Sequence, residues 1–318
     1  MNKENKLIKK VKRLLKRLRC PRWLHNYGPK IYEFYEHFAA LLIRFFCRLS
    51  YRRAKKLLDL VGIRCPSKSS LQRTAQKLDS SFWNQVLSIT SGKSYIVAID
   101  STGFSRTNPS YHYLRRINGA LPKIPVKASI AFDTRKKKVV AAKIRVLPSH
   151  DIRDAIDLLK QSKPQILVAD KAYDASWLHE YCQDNNIRAH IPIREYGKPR
   201  NHHWNARQKA RKYFRLRTYH RREMVESGNH SIKQTMGSSV SSKKARTIRT
   251  ELYGRLACHN IFYWLLGDSG LIRLFRKLYK WCQIPFIYIA RVQAIERLLG
   301  LYDCFVLQLF AGFYYERY

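Results

Sequence analysis

The sequence predicts an α/β core, in which helices flank a mixed β-sheet, preceded by an all-helical N-terminal region. Apolar runs of β-branched residues at 94–100, 125–132, 139–147, 165–169 and 188–193 predict five strands. Helical patterns alternate with the later strands, as in sheets covered by helices on their faces. The chain before residue 85 instead carries apolar residues at helical spacing. With 318 residues and 45% hydrophobic content, the chain can build a core and two modest domains.

The charge balance predicts a polyanionic partner. The chain has 62 Lys and Arg against 22 Asp and Glu, a net charge of +40. A compact protein holds so much like charge most readily when a polyanion neutralises it, which favours nucleic acid. A cationic membrane-surface protein is the alternative, but the basic residues run through the whole chain rather than forming one juxtamembrane cluster.

Cysteine usage and the first residues favour a cytoplasmic protein, which a nucleic-acid partner would associate with the nucleoid. The seven cysteines are scattered and contain no C-x-x-C pair, so neither a disulfide framework nor a zinc ribbon is indicated. The N-terminal residues are charged, without the apolar region and small-residue cleavage site of a secretory signal.

Two segments of the N-terminal region differ in character. Residues 1–27 form a basic amphipathic segment, with a helix expected over 6–19. Its apolar stripe could pack on the body or on a second protomer while the basic face follows DNA, or the segment could be a frayed leader. Residues 28–85 form a helical region in which Gly62 and Pro66 separate two helical stretches and Ser67 offers an N-cap.

This second segment has the pattern of a helix-turn-helix, although a plain helical hairpin has the same pattern. In a helix-turn-helix, the second helix would present its polar side chains to the major groove of DNA. The side chains expected to face the major groove and read its bases are Lys68, Ser69, Gln72, Arg73 and Gln76.

Acidic residues stand at three places in the following α/β segment. Asp100 ends the first apolar run and Asp170 follows the fourth. Further on, Tyr219, Arg222, Glu226 and Lys233 fall within roughly 60° of one another at about 100° per helical residue.

This helix face carries one carboxylate among phosphate-binding groups, which suits metal-assisted phosphodiester chemistry. A solvated charged face is the alternative.

The spacing Y-x2-R-x3-E-x6-K resembles the YREK signature of insertion-sequence DDE transposases of the family 4 type. DSTGFS at Asp100 and DKAYD at Asp170 are similar to the corresponding blocks of these enzymes. The order of elements over 92–266 resembles a ribonuclease-H-like domain. The resemblance implies that Asp100, Asp170 and Glu226 are catalytic and hold two Mg²⁺ ions, with Mn²⁺ as a substitute.

The resemblance also implies an activity and partners. Tyr219, Arg222 and Lys233 would bind DNA phosphates. The enzyme would cleave DNA at inverted-repeat ends and transfer the strands to target DNA, as a homodimer or larger synaptic complex without a small-molecule cofactor. A nuclease or resolvase without strand transfer, and a DNA-binding protein that has lost catalysis, are the alternatives.

Other carboxylates rank below this triad. Asp133 is expected in an exposed hairpin turn, Asp174 lies four residues past Asp170, and Glu223 points about 60° away from Glu226.

Two further segments carry expectations of their own. Residues 194–217 form a short basic insert in which Trp204 could stack on an unpaired base. Residues 267–318 form an apolar helical tail suited to packing or dimerisation.

Overall fold

A mixed five-stranded sheet forms the centre of the protein in the computed structural model, which describes residues 6–27, 29–106, 116, 124–194 and 206–267. The strand order is β3-β2-β1-β4-β5. The β1–β2 and β2–β3 pairs are antiparallel, and the β1–β4 and β4–β5 pairs are parallel. The strands are β1 Ile96–Phe104, β2 Val126–Asp133, β3 Lys138–Arg145, β4 Ile166–Ala169 and β5 Arg188–His190.

The predicted mixed sheet flanked by helices is confirmed, with one strand longer than expected. The apolar run ends at Asp100, but β1 continues to Phe104. It does so because β2 supplies antiparallel partners as far as the pair of Phe104 with Val126. Asp100 therefore lies within a strand, where it pairs with Ile130 of β2.

Helices surround this sheet and account for most of the remaining described residues. Short 3-10 turns occupy Asp151–Asp154, Lys171–Tyr173 and His220–Arg222. The helices are α1 Lys6–Arg17, α2 Phe34–Phe46, α3 Tyr51–Leu60, α4 Lys68–Lys77, α5 Ser80–Ser91, α6 Ala155–Ser162, α7 Ser176–Asp184, α8 Ala206–Tyr213, α9 Leu216–Tyr219, α10 Glu223–Met236 and α11 Ala245–Gly267.

The two faces of the sheet bury different helices, because alternate strand residues point to opposite sides. Ile96, Ala98 and Phe104 belong to a core that includes residues of α2, α5, α10 and α11. Val97 and Ile99 belong to a second core with residues of α6 and α7. Asp100, two residues past Ala98, is on the α10 side of the sheet.

The N-terminal helices share the larger core. Almost every residue of α2 is buried, and α1 buries its apolar stripe, which includes Leu7 and Val11, in the same cluster. Lys10 Nζ donates a hydrogen bond to the carbonyl of Ile261 over 2.9 Å. The apolar stripe of the basic N-terminal segment was expected to pack on the body or on a second protomer, or to belong to a frayed leader. In the structure, α1 packs on the body of its own chain.

The helix pair α3 and α4 has the local features read from the sequence. Gly62 adopts a left-handed backbone conformation with φ of 68°, and Ser67 Oγ accepts a hydrogen bond from the backbone N–H of Ser70. Leu71, Thr74 and Ala75 are buried. The residues predicted to read DNA lie on the opposite face of α4, where Lys68, Ser69, Gln72 and Arg73 are exposed and Gln76 is half-buried.

None of the helices in the described ranges is both long and apolar enough to cross a membrane. The predicted tail, apart from its first residue, and Trp204 of the predicted insert lie outside the described residues.

Candidate active site

Two aspartates meet where β1 and β4 run side by side. Ile99 pairs with Ala169 in the parallel β1–β4 ladder, so the next residues of the two strands are Asp100 and Asp170. Asp170 leaves the strand and caps the following 3-10 turn, where its Oδ1 accepts the N–H of Ala172 over 2.7 Å. Parallel pairing thus brings together two carboxylates that lie far apart in sequence.

A pair of hydroxyl groups joins the segments that follow these aspartates. Ser101 Oγ lies 3.3 Å from the hydroxyl of Tyr173, which belongs to the turn after Asp170. Ser101 Oγ also lies 3.0 Å from Ser129 Oγ on β2. Because Tyr173 and Ser129 are buried, these hydrogen bonds hold the turn against the sheet and limit the relative motion of the two aspartates.

The Asp100 carboxylate receives a hydrogen bond from the catalytic helix candidate, α10. Asn229 Nδ2 donates to Asp100 Oδ2 over 3.1 Å. Asn229 Oδ1 is buried and has no hydrogen-bond partner within the described part of the chain. Sequence reasoning missed Asn229, although its position three residues after Glu226 places it on the same side of a helix.

The pKa of Asp100 is affected by the other two carboxylates, Asp170 and Glu226. Burial raises this pKa above its ordinary value, and the negative charges of Asp170 and Glu226 raise it further. The backbone N–H of Ser101 and the Arg222 guanidinium act in the opposite direction. Asp100, Asp170 and Glu226 therefore interact electrostatically in the folded protein.

The segment carrying Tyr219, Arg222, Glu226 and Lys233 is not the single regular helix expected. Tyr219 ends α9, Arg222 ends a 3-10 turn, and only Glu226 and Lys233 lie in α10. The tighter winding of a 3-10 turn rotates Tyr219 relative to the α10 face. Its ring instead lies 5.6 Å from the ring of Phe214.

Two cationic side chains nevertheless lie beside the Asp100–Asp170 pair, which we call the acidic site. Arg222 NH1 lies 2.7 Å from Glu226 Oε1. Lys233 Nζ lies 5.5 Å from the centre of the Phe104 ring, at the end of β1. Burial lowers the pKa of Lys233, and the Asp100 carboxylate partly offsets this effect. Arg222 and Lys233 thus both act on Asp100 from α10 and the turn before it.

Gly228 allows α10 to approach the sheet closely. A Cβ atom at this position would lie 2.7 Å from two ring carbons of Phe132 on β2, closer than such contacts occur. Since Gly228 lies between Glu226 and Asn229, this approach helps to set the distance from both side chains to β1. The sequence shows the glycine, but only the fold shows that the Phe132 ring packs against it.

Asp133 and Asp174 have structural partners. Asp133 was expected in an exposed turn, but it is buried, and its Oδ1 accepts the N–H groups of Arg135 and Lys136 over 2.8 Å each. The turn residues themselves cover it. The side chain of Asp174 is also buried, and Arg207 contacts both of its oxygens, at 2.9 and 2.6 Å.

Glu223, by contrast, lies away from the acidic site. It is largely exposed, and its carboxylate is 3.8 Å from His220 Nδ1.

The acidic site has the donor type that a hard divalent cation needs. Carboxylate oxygens and the unpartnered Asn229 Oδ1 are suitable ligands for Mg²⁺ or Mn²⁺. In the described ranges, no three His, Cys, Asp or Glu side chains are close enough to share one ion. Glu226 is paired with Arg222.

Comparison with known proteins identifies a family and shows distant likenesses to solved structures. The model of the family described as "Transposase DDE domain" matches residues 91–261, more than half of the chain. No curated protein matches the chain significantly. Among solved structures, the chain is similar to one from a piggyBac transposase synaptic complex with hairpin DNA, determined by cryo-EM. The TM-score is 0.40 and the identity 10%, over 95% of this chain and 80% of that chain.

Proposed function

The chain belongs to the family of transposase DDE domains, and from that premise we propose that it is an insertion-sequence transposase of the YREK class. It binds the inverted-repeat ends of its element, cleaves DNA there and joins the ends to target DNA. The observation that carries this proposal is that parallel strand pairing sets Asp100 beside Asp170, while the segment after α9 brings Asn229 onto Asp100 and the Arg222–Glu226 pair and Lys233 close by.

The three carboxylates supply the metal-binding groups of the proposed site. Asp100, Asp170 and Glu226 would hold two Mg²⁺ ions, with Mn²⁺ as a substitute. When bound, such ions activate the attacking oxygen and stabilise the leaving oxygen of an in-line displacement at phosphorus. Asn229 orients Asp100 through its hydrogen bond to Oδ2. The raised pKa of Asp100 means that protons compete with cations for this carboxylate at higher pH than they do for an ordinary aspartate.

The cations beside the site bind the substrate. Arg222 presents a planar guanidinium, which can contact two oxygens of one phosphate, whereas Lys233 offers a compact charge. Tyr219 would donate its hydroxyl to a phosphate once the segment before α10 reorganises. Arg222 contacts Glu226, so a phosphate that captures Arg222 would release Glu226 to the aspartates.

DNA reading is assigned to the helical region at 28–85. Its α4 presents Lys68, Ser69, Gln72, Arg73 and Gln76 on one face, while the opposite face packs in the core. Polar side chains on one exposed helix face are the groups that read base edges in a major groove.

Synapsis of two ends calls for a homodimer or larger complex. Trp204 is proposed to stack on an unpaired base.

Labelled end-sequence DNA tests the proposal when cleavage and strand transfer are scored separately in Mg²⁺. The parent protein should do both, Asp100→Asn neither, and the control Asp184→Asn, an exposed acid on α7, should retain both. Cleavage without strand transfer would identify a nuclease or resolvase. Tight end binding with neither reaction would identify a protein that has lost catalysis.

A further inference from the structure

A second basic site lies at the β3 edge of the sheet. A cavity of about 970 Å³ opens there, between the end of α1, the helices α5 and α11, and the segment that follows β3. We call this cavity the edge groove. Its cationic lining residues are Arg17, Arg19, Lys143, Arg145, Arg153 and Arg249.

Most of the positive charge of the edge groove is uncompensated. None of the described residues that line it is acidic. Lys143 contacts Asp157 over 2.9 Å, and Arg145 contacts the buried Asp154 over 2.6 Å.

The other four arginines, Arg17, Arg19, Arg153 and Arg249, are exposed. Within the described ranges, no carboxylate lies in ion-pair contact with any of them. Four arginines facing one cavity without counter-charges repel one another, and an anionic ligand removes that repulsion.

The strand register places the edge groove level with the acidic site. Ala142 pairs with Ile130 on β2, and Ile130 pairs with Asp100 on β1, so these three residues share one face of the sheet. Asn84 of α5 and Tyr253 of α11, which line the edge groove, both contact the backbone of Ala142. Two strand spacings separate β3 from β1, a distance of about 10 Å. A DNA duplex held at the acidic site is wider than this distance and can reach the edge groove.

The outer edge of β3 is already occupied, which argues against a peptide partner. Asn84 Oδ1 accepts the N–H of Ala142 over 3.0 Å, and the Tyr253 hydroxyl donates to the Ala142 carbonyl over 2.8 Å. Asn260 bonds both backbone groups of Val139. A peptide that adds a strand needs unpaired backbone N–H and C=O groups on the edge strand. A ligand of the edge groove must therefore bind to side chains instead.

We propose that the edge groove binds the phosphate backbone of duplex DNA beside the segment held at the acidic site. This inference rests on the proposed function, because it takes DNA as the substrate. Arginines supply the charge, and Ser80, Ser81 and Gln85 line the same cavity with further hydrogen-bond donors. Contacts of this type carry no base information, so the edge groove contributes affinity on every sequence equally.

Salt-dependent binding of a labelled duplex tests the edge groove, measured by fluorescence anisotropy with a chelator present so that no DNA is cut. Arg153→Ala with Arg249→Ala removes two uncompensated charges from opposite walls. The slope of log K against log salt should fall by about 2, with equal weakening on end-sequence and random duplexes. Arg153→Gln with Arg249→Gln serves as a second variant if the alanine pair unfolds.

The matched control removes two charges from the other end of the sheet. Arg135→Ala with Arg188→Ala changes exposed arginines level with the start of β1 and should leave the slope unchanged. An unchanged slope in the groove variant, or an equal fall in both double variants, overturns the inference. Binding in chelator does not depend on cleavage, so an inactive parent protein would reject the proposed function and leave this test intact.

Discussion

Arg222 and Glu226 form an ion pair of 2.7 Å across the junction between a 3-10 turn and α10. Glu226 also acts on the Asp100 carboxylate, so one glutamate faces both a cation and the acidic site. Glu223, on the same helix, is largely exposed, and its carboxylate lies 3.8 Å from His220 Nδ1. The two glutamates therefore provide a matched pair of substitutions.

Glu226→Gln should abolish Mg²⁺-dependent cleavage, because glutamine keeps the volume and helix propensity of glutamate but loses the charge that a hard cation needs. Glu223→Gln should cleave at close to the parent rate. Thermal melting of both variants, run beside the cleavage assay, checks that neither has lost its fold. A dead Glu223→Gln beside an active Glu226→Gln would remove the third ligand from the proposed site.

Asn229→Ala should move the acid limb of the pH–rate profile to higher pH. The Asp100 carboxylate must be deprotonated to bind a cation, so activity falls as pH drops through its raised pKa. Loss of the Asn229 hydrogen bond removes a donor that favours the charged form and raises that pKa further. Asn185→Ala, at the end of α7, is the control and should leave the profile in place. Equal profiles for both variants would show that Asn229 does not act on Asp100.

Gly228→Ala should destabilise the protein by about 1–3 kcal/mol, because the added methyl group meets the Phe132 ring and overpacks the core. Gly103→Ala is the comparison, since its Cβ would lie 3.6 Å from Pro125 in ordinary contact. Its change in unfolding free energy should stay within about 0.5 kcal/mol. Urea unfolding of both variants measures the difference, and equal midpoints would contradict the close approach of α10.

Asp174→Ala should lower the free energy of unfolding by about 1.5–3 kcal/mol, because it leaves the half-buried Arg207 without the carboxylate that two of its nitrogens contact. Burial would raise the pKa of Asp174, but hydrogen bonds from Arg207 and the Arg194 N–H hold it below its ordinary value. The ionised form is therefore the stabilising one. Its contribution is complete above the unfolded pKa of about 4 and is lost as pH falls through the lower folded pKa.

Unfolding measured from pH 6 down to pH 2 checks this prediction. The parent should lose more stability over that interval than Asp174→Ala, which has no carboxylate to protonate at this position. Parallel curves would contradict the assignment of Asp174 to the fold.

Arg73→Ala and Gln76→Ala should weaken binding to the element ends while leaving binding to random duplex mostly intact, because base contacts specify and phosphate contacts position. Both side chains lie on the face of α4 opposite its buried residues. Lys77→Ala, at the end of the same helix, is the control for a general loss of charge. Equal losses on end and random DNA would remove the reading role from α4.

The sequence by itself determined the elements and the residue types of the candidate site. Local apolar runs marked all five strands, because a buried strand must be apolar whatever lies beside it. Ser67 and Gly62 marked the ends of two helices through local hydrogen bonding and backbone freedom. The spacing of Arg222 and Glu226 placed them on one helix face, and they are in contact, since residues four apart are neighbours on a helical segment.

Only the tertiary structure decided which of these groups meet. Asp100 and Asp170 are neighbours because β1 and β4 pair in parallel, a contact between residues far apart in the chain. Asn229 reaches Asp100 because Gly228 lets α10 close on Phe132, and no local pattern contains that ring. Asp133 is buried rather than exposed because a turn can fold over its own carboxylate. Burial and long-range pairing depend on the whole chain, whereas periodicity and capping depend on a few adjacent residues.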